Sequence, residues 1–488
     1  MRKSFAWIIL WGCLESISAQ VNLPAAGNGA TPFALAQDYR ALQWNPAALA
    51  FQCFDRNIRT TAGGFEGGIS VRSSMFDRKD LWDDMLNRPG SEENWTHLNS
   101  AEWIDRIKGQ TIELDASAIV AGSYRQTGNW GFAYVHRQSF QAEMKLGEQT
   151  ASLLFEGGAS SLFDYVVLVT GDTVSNDGGW NLENITNVVQ GFGGGDLLAN
   201  VLGDSRLGFS YSKSHEIGMA KSWGKRDDGW QLHTGVGARL ILGNGYFSVS
   251  ANDDGELDAF GAFSRGFSVP TLDTVAATIL NPTLDRLRNW GPVGQGWGVD
   301  IGATISMANQ LWISAALNNI GWVEWRGESY LTESVAIDSW TAAANSPNNW
   351  IDAATEALDP TTWFDQGTAE TRRVALPLTL QLGGGLRMGK GLLLAADAAF
   401  ANPENLDSEG MRGGISAVMR LMPWLRIDGG IRKLQNEKMR IPIGLVIENP
   451  TGGMQVGIQL SDAQGLWRPS SPEIGMNFCF LRWVWMRE

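Results

Sequence analysis

Gly296-Trp297-Gly298-Val299-Asp300-Ile301-Gly302-Ala303-Thr304-Ile305-Ser306-Met307 alternates without a break. Trp297, Val299, Ile301, Ala303, Ile305 and Met307 fall on one face; the glycines, Asp300, Thr304 and Ser306 fall on the other. A period of two marks a β-strand with one apolar face. In a Trp-rich secreted sandwich that face meets a core and the polar face meets water. In a membrane barrel it meets lipid, and the polar face lines a lumen.

Neighbouring segments favour the barrel. Leu232, Thr234, Val236, Ala238, Leu240 and Leu242 alternate with His233, Gly235, Gly237 and Arg239, which sets a guanidinium opposite the leucines. Such a charge is costly in a sandwich core and comfortable in a wet lumen. Arg239, His233 and Asp300 are therefore the candidate lumen-facing residues. Fifteen segments of this character run near 57–72, 112–126, 130–143, 214–224, 230–249, 256–268, 296–307, 311–325, 375–388, 391–400, 411–422, 425–433, 439–448, 452–461 and 472–484. Bacterial single-chain barrels use even numbers, so about fourteen antiparallel strands are expected.

Tight turns fit Thr127-Gly128-Asn129, Ala308-Asn309-Gln310, Gly389-Lys390 and Pro450-Thr451-Gly452. Long insertions cover roughly 77–111, 144–213, 269–295 and 326–374. Strict alternation of sides puts 269–295 among the short turns, a conflict that points to a miscounted strand before it. Residues 80–86 and 350–358 have helical spacing, so the long loops are expected to be partly helical.

Composition agrees with an all-β transmembrane barrel. The 488 residues include 58 Gly, 22 Trp and 20 Phe, with only four His and three Cys. Glycine lets strands coil tightly, and Trp and Phe suit the lipid–headgroup boundary. Trp297, Trp312, Trp322, Trp325 and Trp483, with Trp485, fall near strand ends and are expected to serve as interfacial girdle residues. A formal charge of −14 gives no grip on a phosphate backbone, so nucleic acid is excluded as a partner.

Residues 1–20 open on Arg2 and Lys3, continue through the apolar run Phe5 to Gly12, and close on Ser16, Ser18 and Ala19. That is the layout of a secretory signal peptide, which implies export. Leu10-Trp11-Gly12-Cys13 loosely matches a lipoprotein processing site, which leaves lipidation of Cys13 open. Past residue 20 no apolar run approaches the ~18 residues of a membrane-spanning helix. Cys53 and Cys479 leave room for one bridge that nothing requires.

Ahead of the first strand stands Ala34-Leu35-Ala36-Gln37-Asp38-Tyr39-Arg40-Ala41-Leu42-Gln43-Trp44-Asn45-Pro46-Ala47-Ala48-Leu49-Ala50. This resembles the opening of FadL-like and PorV-like bacterial outer-membrane barrels, where a short segment with an Asn-Pro-Ala motif precedes the first strand. Trp297 to Trp325, and the hairpins from Leu376 onward, resemble an uncharacterised barrel family of that kind. Ala48 stands where the familiar pattern has Gly, and the chain runs past Trp485 to Glu488. The resemblance implies an outer-membrane location, a hatch or plug over residues 21–56 anchored by Asn45, Pro46 and Ala47, and a barrel from 57 to 488. Independently, Pro46 forces Asn45 out of helical conformation, and the Asn45 side chain can cap Ala47 to Ala50.

No catalytic or metal signature is present: no HExxH, Cys-x-x-Cys, Gly-x-Ser-x-Gly or Gly-x-x-x-x-Gly-Lys-Ser/Thr. Gly191 to Asp196 lacks the βαβ setting of a nucleotide loop, and the acidic run from Asp253 to Asp258 lacks EF-hand spacing. No enzyme activity and no cofactor are expected. The resemblance implies a channel for hydrophobic or amphipathic compounds. The alternative is an accessory barrel that anchors cargo for a type IX-like secretion or surface-attachment system. The expected partners are outer-membrane lipid, hydrophobic small molecules, or a secretion-system or cargo protein.

Overall fold

The computed structural model describes residues 26, 29–52, 58–73, 104–105, 108–177, 187–196, 198–203, 205–224, 229–251, 257–264, 291–307, 310–332, 339–340, 368–389, 391–401, 411–434, 439–449, 453–466 and 473–486. The expected signal peptide, Cys13, Cys53 and the helical stretches 80–86 and 350–358 lie outside the described residues.

Twenty strands are described: β1 (Ile58–Ser73), β2 (Thr111–Thr127), β3 (Trp130–Lys145), β4 (Tyr165–Leu168), β5 (Thr173–Ser175), β6 (Val188–Phe192), β7 (Arg206–Trp223), β8 (Trp230–Ala251), β9 (Leu257–Phe263), β10 (Gly294–Met307), β11 (Leu311–Thr332), β12 (Ser339–Trp340), β13 (Thr368–Ala375), β14 (Thr379–Met388), β15 (Leu392–Ala401), β16 (Met411–Met422), β17 (Leu425–Leu434), β18 (Ile443–Glu448), β19 (Gly453–Leu460) and β20 (Glu473–Met486). All pairings in the main sheet are antiparallel, and the first strand pairs with the last, Ile69 opposite Met476, so the sheet closes on itself. β4, β5, β6 and β12 form a separate small sheet.

Closure yields fourteen strand lines because two lines are each built from two pieces. β9 and β10 both descend between β8 and β11, end to end. Ser264 N donates to Asn244 O at 2.8 Å and Val293 N to Gly243 O at 2.9 Å, so the ladder on β8 continues across the junction. β13 and β14 share a line along β11 in the same way. The segment expected as a separate strand at 256–268 is thus the upper half of the 296–307 line. The insertion after it leaves from within a strand line, and the conflict of sides disappears.

Turns between β2 and β3, β7 and β8, β10 and β11, β14 and β15, β16 and β17, and β18 and β19 lie at the end where β1 begins and β20 finishes. The longer connections lie at the other end, residues 146–205 being the longest. β7 starts at Arg206, eight residues before the expected 214. Ser210, Ser212 and Ser214 face inward there while Phe209, Tyr211 and Lys213 face outward, a polar-in pattern that reads as loop without its partners.

The outer wall is apolar and uncovered: Leu380, Leu382, Ile415, Met419, Ile431, Ile443, Leu445 and Ile458 are all exposed. Inward positions on the same strands carry Gln381, Ser416, Asp428 and Gln459, all buried. With the backbone paired around the whole ring and an apolar exterior, the molecule is a transmembrane β-barrel. Among the described residues no helix is long and apolar enough to cross a membrane.

Candidate functional site: the segment inside the barrel

Every described residue from Gly29 to Ala50 is buried, although this stretch precedes the first strand. It runs as three short helical turns, Pro32–Leu35, Asp38–Gln43 and Pro46–Leu49. Its hydrogen bonds reach the wall on many sides. Gly29 N donates to Asp428 Oδ1 at 3.0 Å and Ala30 N to Ser416 Oγ at 2.8 Å. Phe33 N donates to Asp397 Oδ2 at 3.1 Å, and Trp312 Nε1 to Ala34 O at 3.1 Å. Asn318 Nδ2 donates to Trp44 O at 2.7 Å, Tyr124 Oη to Leu49 O at 2.9 Å, and Ser222 Oγ to Ala50 O at 3.0 Å. The donors and acceptors come from β2, β7, β11, β15, β16 and β17, so the segment occupies the lumen rather than one side of it.

Asn45 is extended at φ −147°, ψ 100°, as its place before Pro46 requires, and its Oδ1 accepts from Ala47 N at 3.0 Å. Its Nδ2 donates to Thr304 Oγ1 at 3.0 Å, which ties the Asn-Pro-Ala turn to β10. The wall is hollowed for this turn. A Cβ on Gly302 would overlap Asn45 Oδ1, and a Cβ on Gly131 would overlap the Leu49 carbonyl. Glycine at these inward positions lets two backbones approach where any side chain would intervene.

On the opposite side the contact is ionic. Arg40 Nε lies 2.7 Å from Glu66 Oε2 on β1, and Arg40 Nη2 reaches the free thiol of Cys479 on β20 at 3.0 Å. Asp38 pairs with Arg482 of β20, and the Tyr39 hydroxyl donates to Glu66. Burial first, then the Glu66 carboxylate, holds the Tyr39 hydroxyl well above its ordinary range, so it remains a donor. None of Asp38, Tyr39, Arg40, Glu66 or Arg482 was singled out from sequence. The available signal was four consecutive polar residues, Gln37 to Arg40, inside a largely apolar stretch.

The three lumen candidates are inward and buried. Arg239 pairs with Asp300 and donates from Nη1 to Asn319 Oδ1 at 3.0 Å; Asp300 Oδ1 accepts from Asn319 N at 2.8 Å. His233 sits between Ser222 Oγ (2.8 Å) and Ser306 Oγ (3.0 Å), its ring 5.2 Å from that of Phe51. Arg239 and His233 belong to separate contact sets, and neither set faces a metal-type cluster among the described residues.

Trp297 and Trp483 are exposed on the outer wall, and Trp322 packs edge-on against Trp297 at 4.3 Å. Trp312 and Trp325, expected in the same girdle, are instead inside, 2 % and 0 % exposed. Trp312 is inward by simple alternation, between exposed Leu311 and Ile313. Trp325 is inward because β11 carries an extra residue opposite Asp300: Val299 pairs Ile320 while Ile301 pairs Leu317. That bulge, with Asn319 at φ +67°, reverses the facing of everything beyond it. Above the N-terminal segment, Trp325 stacks on Tyr246 at 4.9 Å beside Phe260, Ile241, Val323 and Leu376, an inward apolar cluster.

A family model described as a family of unknown function (DUF5723) matches residues 202–449, just over half of the sequence. The chain belongs to this family. No curated protein matches it. Among solved structures, this DUF5723 member is similar to the toluene transporter TodX of Pseudomonas putida, at 11 % identity over 96 % of this chain and 98 % of that one, TM-score 0.42. It is also similar to a FadL homologue of Pseudomonas aeruginosa, at 10 % identity over 96 % and 99 %, TM-score 0.43.

Proposed function

We propose that this DUF5723 member is an outer-membrane channel for hydrophobic or amphipathic compounds, with the segment around residues 21–56 as its hatch. The observation that carries this reading is a filled lower lumen beneath an inward apolar cluster on β8, β9 and β11, set in an upper wall that is otherwise polar, with Asp115, Ser139, Ser212 and the Arg137–Glu216 pair on β2, β3 and β7. Residues 29–50 fill the barrel at the end bearing the short turns, and above them Tyr246, Phe260 and Trp325 pack on one another against its inner wall, each fully buried. A water-soluble solute gains little from contact with such a cluster. An apolar one gains about 25 cal/mol for each Å² it removes from water. The ion pairs of Asp38 and Arg40 and the hydrogen bonds of Asn45 would hold the hatch shut until it shifts.

Uptake of an apolar dye or hydrocarbon into liposomes carrying the purified protein tests the reading. The full chain is compared with an Asn45→Ala/Thr304→Ala variant, whose hatch has lost its tie to β10. Uptake above empty liposomes, raised in the variant, is the expected result. Uptake equal to empty liposomes for both proteins sinks the proposal.

A further inference from the structure

Along the seam between β3 and β7 the outer wall departs from its apolar pattern. Read upward from the short-turn end, the outward pairs are Trp130 with Lys221, Phe132 with Met219, Tyr134 with Ile217, His136 with His215, Gln138 with Lys213, and Phe140 with Tyr211, and the row continues above them with Ala142–Phe209 and Met144–Leu207. Lys221 lies 5.0 Å from the Trp130 ring and 4.0 Å from that of Trp223, the lower girdle of this seam. Lys213 stands eight residues further along the strand. At ~3.3 Å per residue and a tilt near 40°, that is about 20 Å higher, toward the upper edge of an apolar band ~25 Å tall.

The polar groups of the seam are arranged rather than scattered. The Tyr134 hydroxyl lies 2.9 Å from His215 Nδ1, and the His215 ring stacks on His136 at 4.6 Å. The Tyr211 hydroxyl donates to Gln138 Oε1 at 3.1 Å. These bonds leave the Gln138 amide nitrogen, the His215 Nε2 and the Lys213 ammonium on the same two rungs of the outer face. The outward neighbours on the flanking strands are Ala118, Ala121 and Ser123 of β2 and Leu240 and Leu242 of β8, so no carboxylate answers the lysine among the described residues. Below them Ile217, 60 % exposed, and Met219 offer a greasy track. Lys433 of β17 supplies a contrast: it stands eight residues above Leu425, also faces outward, and has Gly413 as its rung partner on β16.

We propose that this seam binds the phosphate of a lipid in the outer leaflet. Lys213 pairs with the phosphate charge, Gln138 Nε2 and His215 Nε2–H donate to its oxygens, and an acyl chain lies over Ile217 and Met219. Cation and donors meet an anion at the level where phosphate groups lie, while the apolar rows meet the chains below. The site is on the exterior and is independent of what crosses the lumen.

Native mass spectrometry of the full-length protein from detergent, loaded with bis-phosphorylated lipid A, tests it. The dephosphorylated lipid and excess inorganic phosphate serve as separate arms. The expected result is one phosphorylated lipid retained after the dephosphorylated form is stripped, with free phosphate unable to displace it. Lys213→Gln, which removes the cation from beside the Gln138 and His215 donors, lowers the retained fraction about fivefold, whereas Lys433→Gln, with only Gly413 as its rung partner, leaves it unchanged. Gln138→Leu gives a smaller loss, and every variant keeps its heat-modifiable gel band. Equal retention by Lys213→Gln, equal retention of the dephosphorylated lipid, displacement by free phosphate, or an equal loss in Lys433→Gln overturns the proposal.

Discussion

Arg40 and Glu66, twenty-six positions apart in sequence, meet at 2.7 Å with side chains 5 % and 1 % exposed, one from the lumen segment and one from the first strand. A guanidinium so buried tolerates poorly the loss of its carboxylate, because removing one partner leaves an uncompensated charge, typically at a cost of about 3–5 kcal/mol. Glu66→Gln is therefore expected to lower the temperature at which the folded band converts on semi-native gels. It should also open residues 29–52 to protease before the barrel itself unfolds. A variant whose band shift and protease pattern match wild type would show that the pair does not hold the segment.

Gly235 and Gly237 are inward on the same strand, and both face the Pro46 turn. A Cβ on Gly235 would overlap the Pro46 carbonyl carbon, whereas one on Gly237 would meet Pro46 Cγ at an ordinary 3.6 Å. Gly235→Ala is expected to displace the turn and raise leakage of small solutes through reconstituted barrels. Gly237→Ala is expected to behave as wild type. Because both changes add one methyl to one strand, equal behaviour would argue against a turn seated closely in that groove.

The asymmetry between these glycines bears on what could be read from sequence. Alternation from Gly296 to Met307 announced a strand with one apolar face, since a period of two fixes which residues share a face. It could not announce that β9 and β10 share one line, because the pairing that joins them, Ser264 to Asn244 and Val293 to Gly243, is between residues far apart in the chain. Alternation also failed beyond Asn319. One extra residue there turned Trp325 from the lipid side to the lumen, and a bulge leaves no mark in a period-two pattern. Asn45-Pro46 was legible because its geometry is local. The Asp38–Arg482 pair was not, since 444 residues separate its partners.

Asn45 carries two bonds that can be separated. Its Oδ1 caps Ala47 N, and its Nδ2 donates to Thr304 Oγ1. Asn45→Asp keeps the cap and loses the amide donor, whereas Asn45→Ala loses both. Each neutral bond contributes about 1 kcal/mol, so the alanine variant should fall further in thermal stability than Thr304→Ala alone. A double-mutant cycle between Asn45→Ala and Thr304→Ala, read from semi-native gel transitions, should return a coupling of about 1 kcal/mol. Strict additivity would separate the two residues.

Asn319 combines a backbone demand with a side-chain one. At φ +67° it occupies the left-handed region, which Asn tolerates and β-branched residues resist. Its amide also bridges Arg239 Nη1 and the Pro377 carbonyl, at 3.0 Å each, while its backbone N–H is held by Asp300. Asn319→Gly keeps the conformation and loses the bridge. Asn319→Val loses the bridge and adds about 1–2 kcal/mol of backbone strain. The valine variant should therefore be the less stable of the two. If the strain is relieved by slipping β11, Trp325 turns outward and the upper lumen loses its aromatic wall. The expected signature is a further drop in apolar-solute uptake in Asn319→Val beyond that in Asn319→Gly, with both barrels still closed on gels. Equal stability and equal uptake would mean that the bulge is indifferent to the residue that makes it.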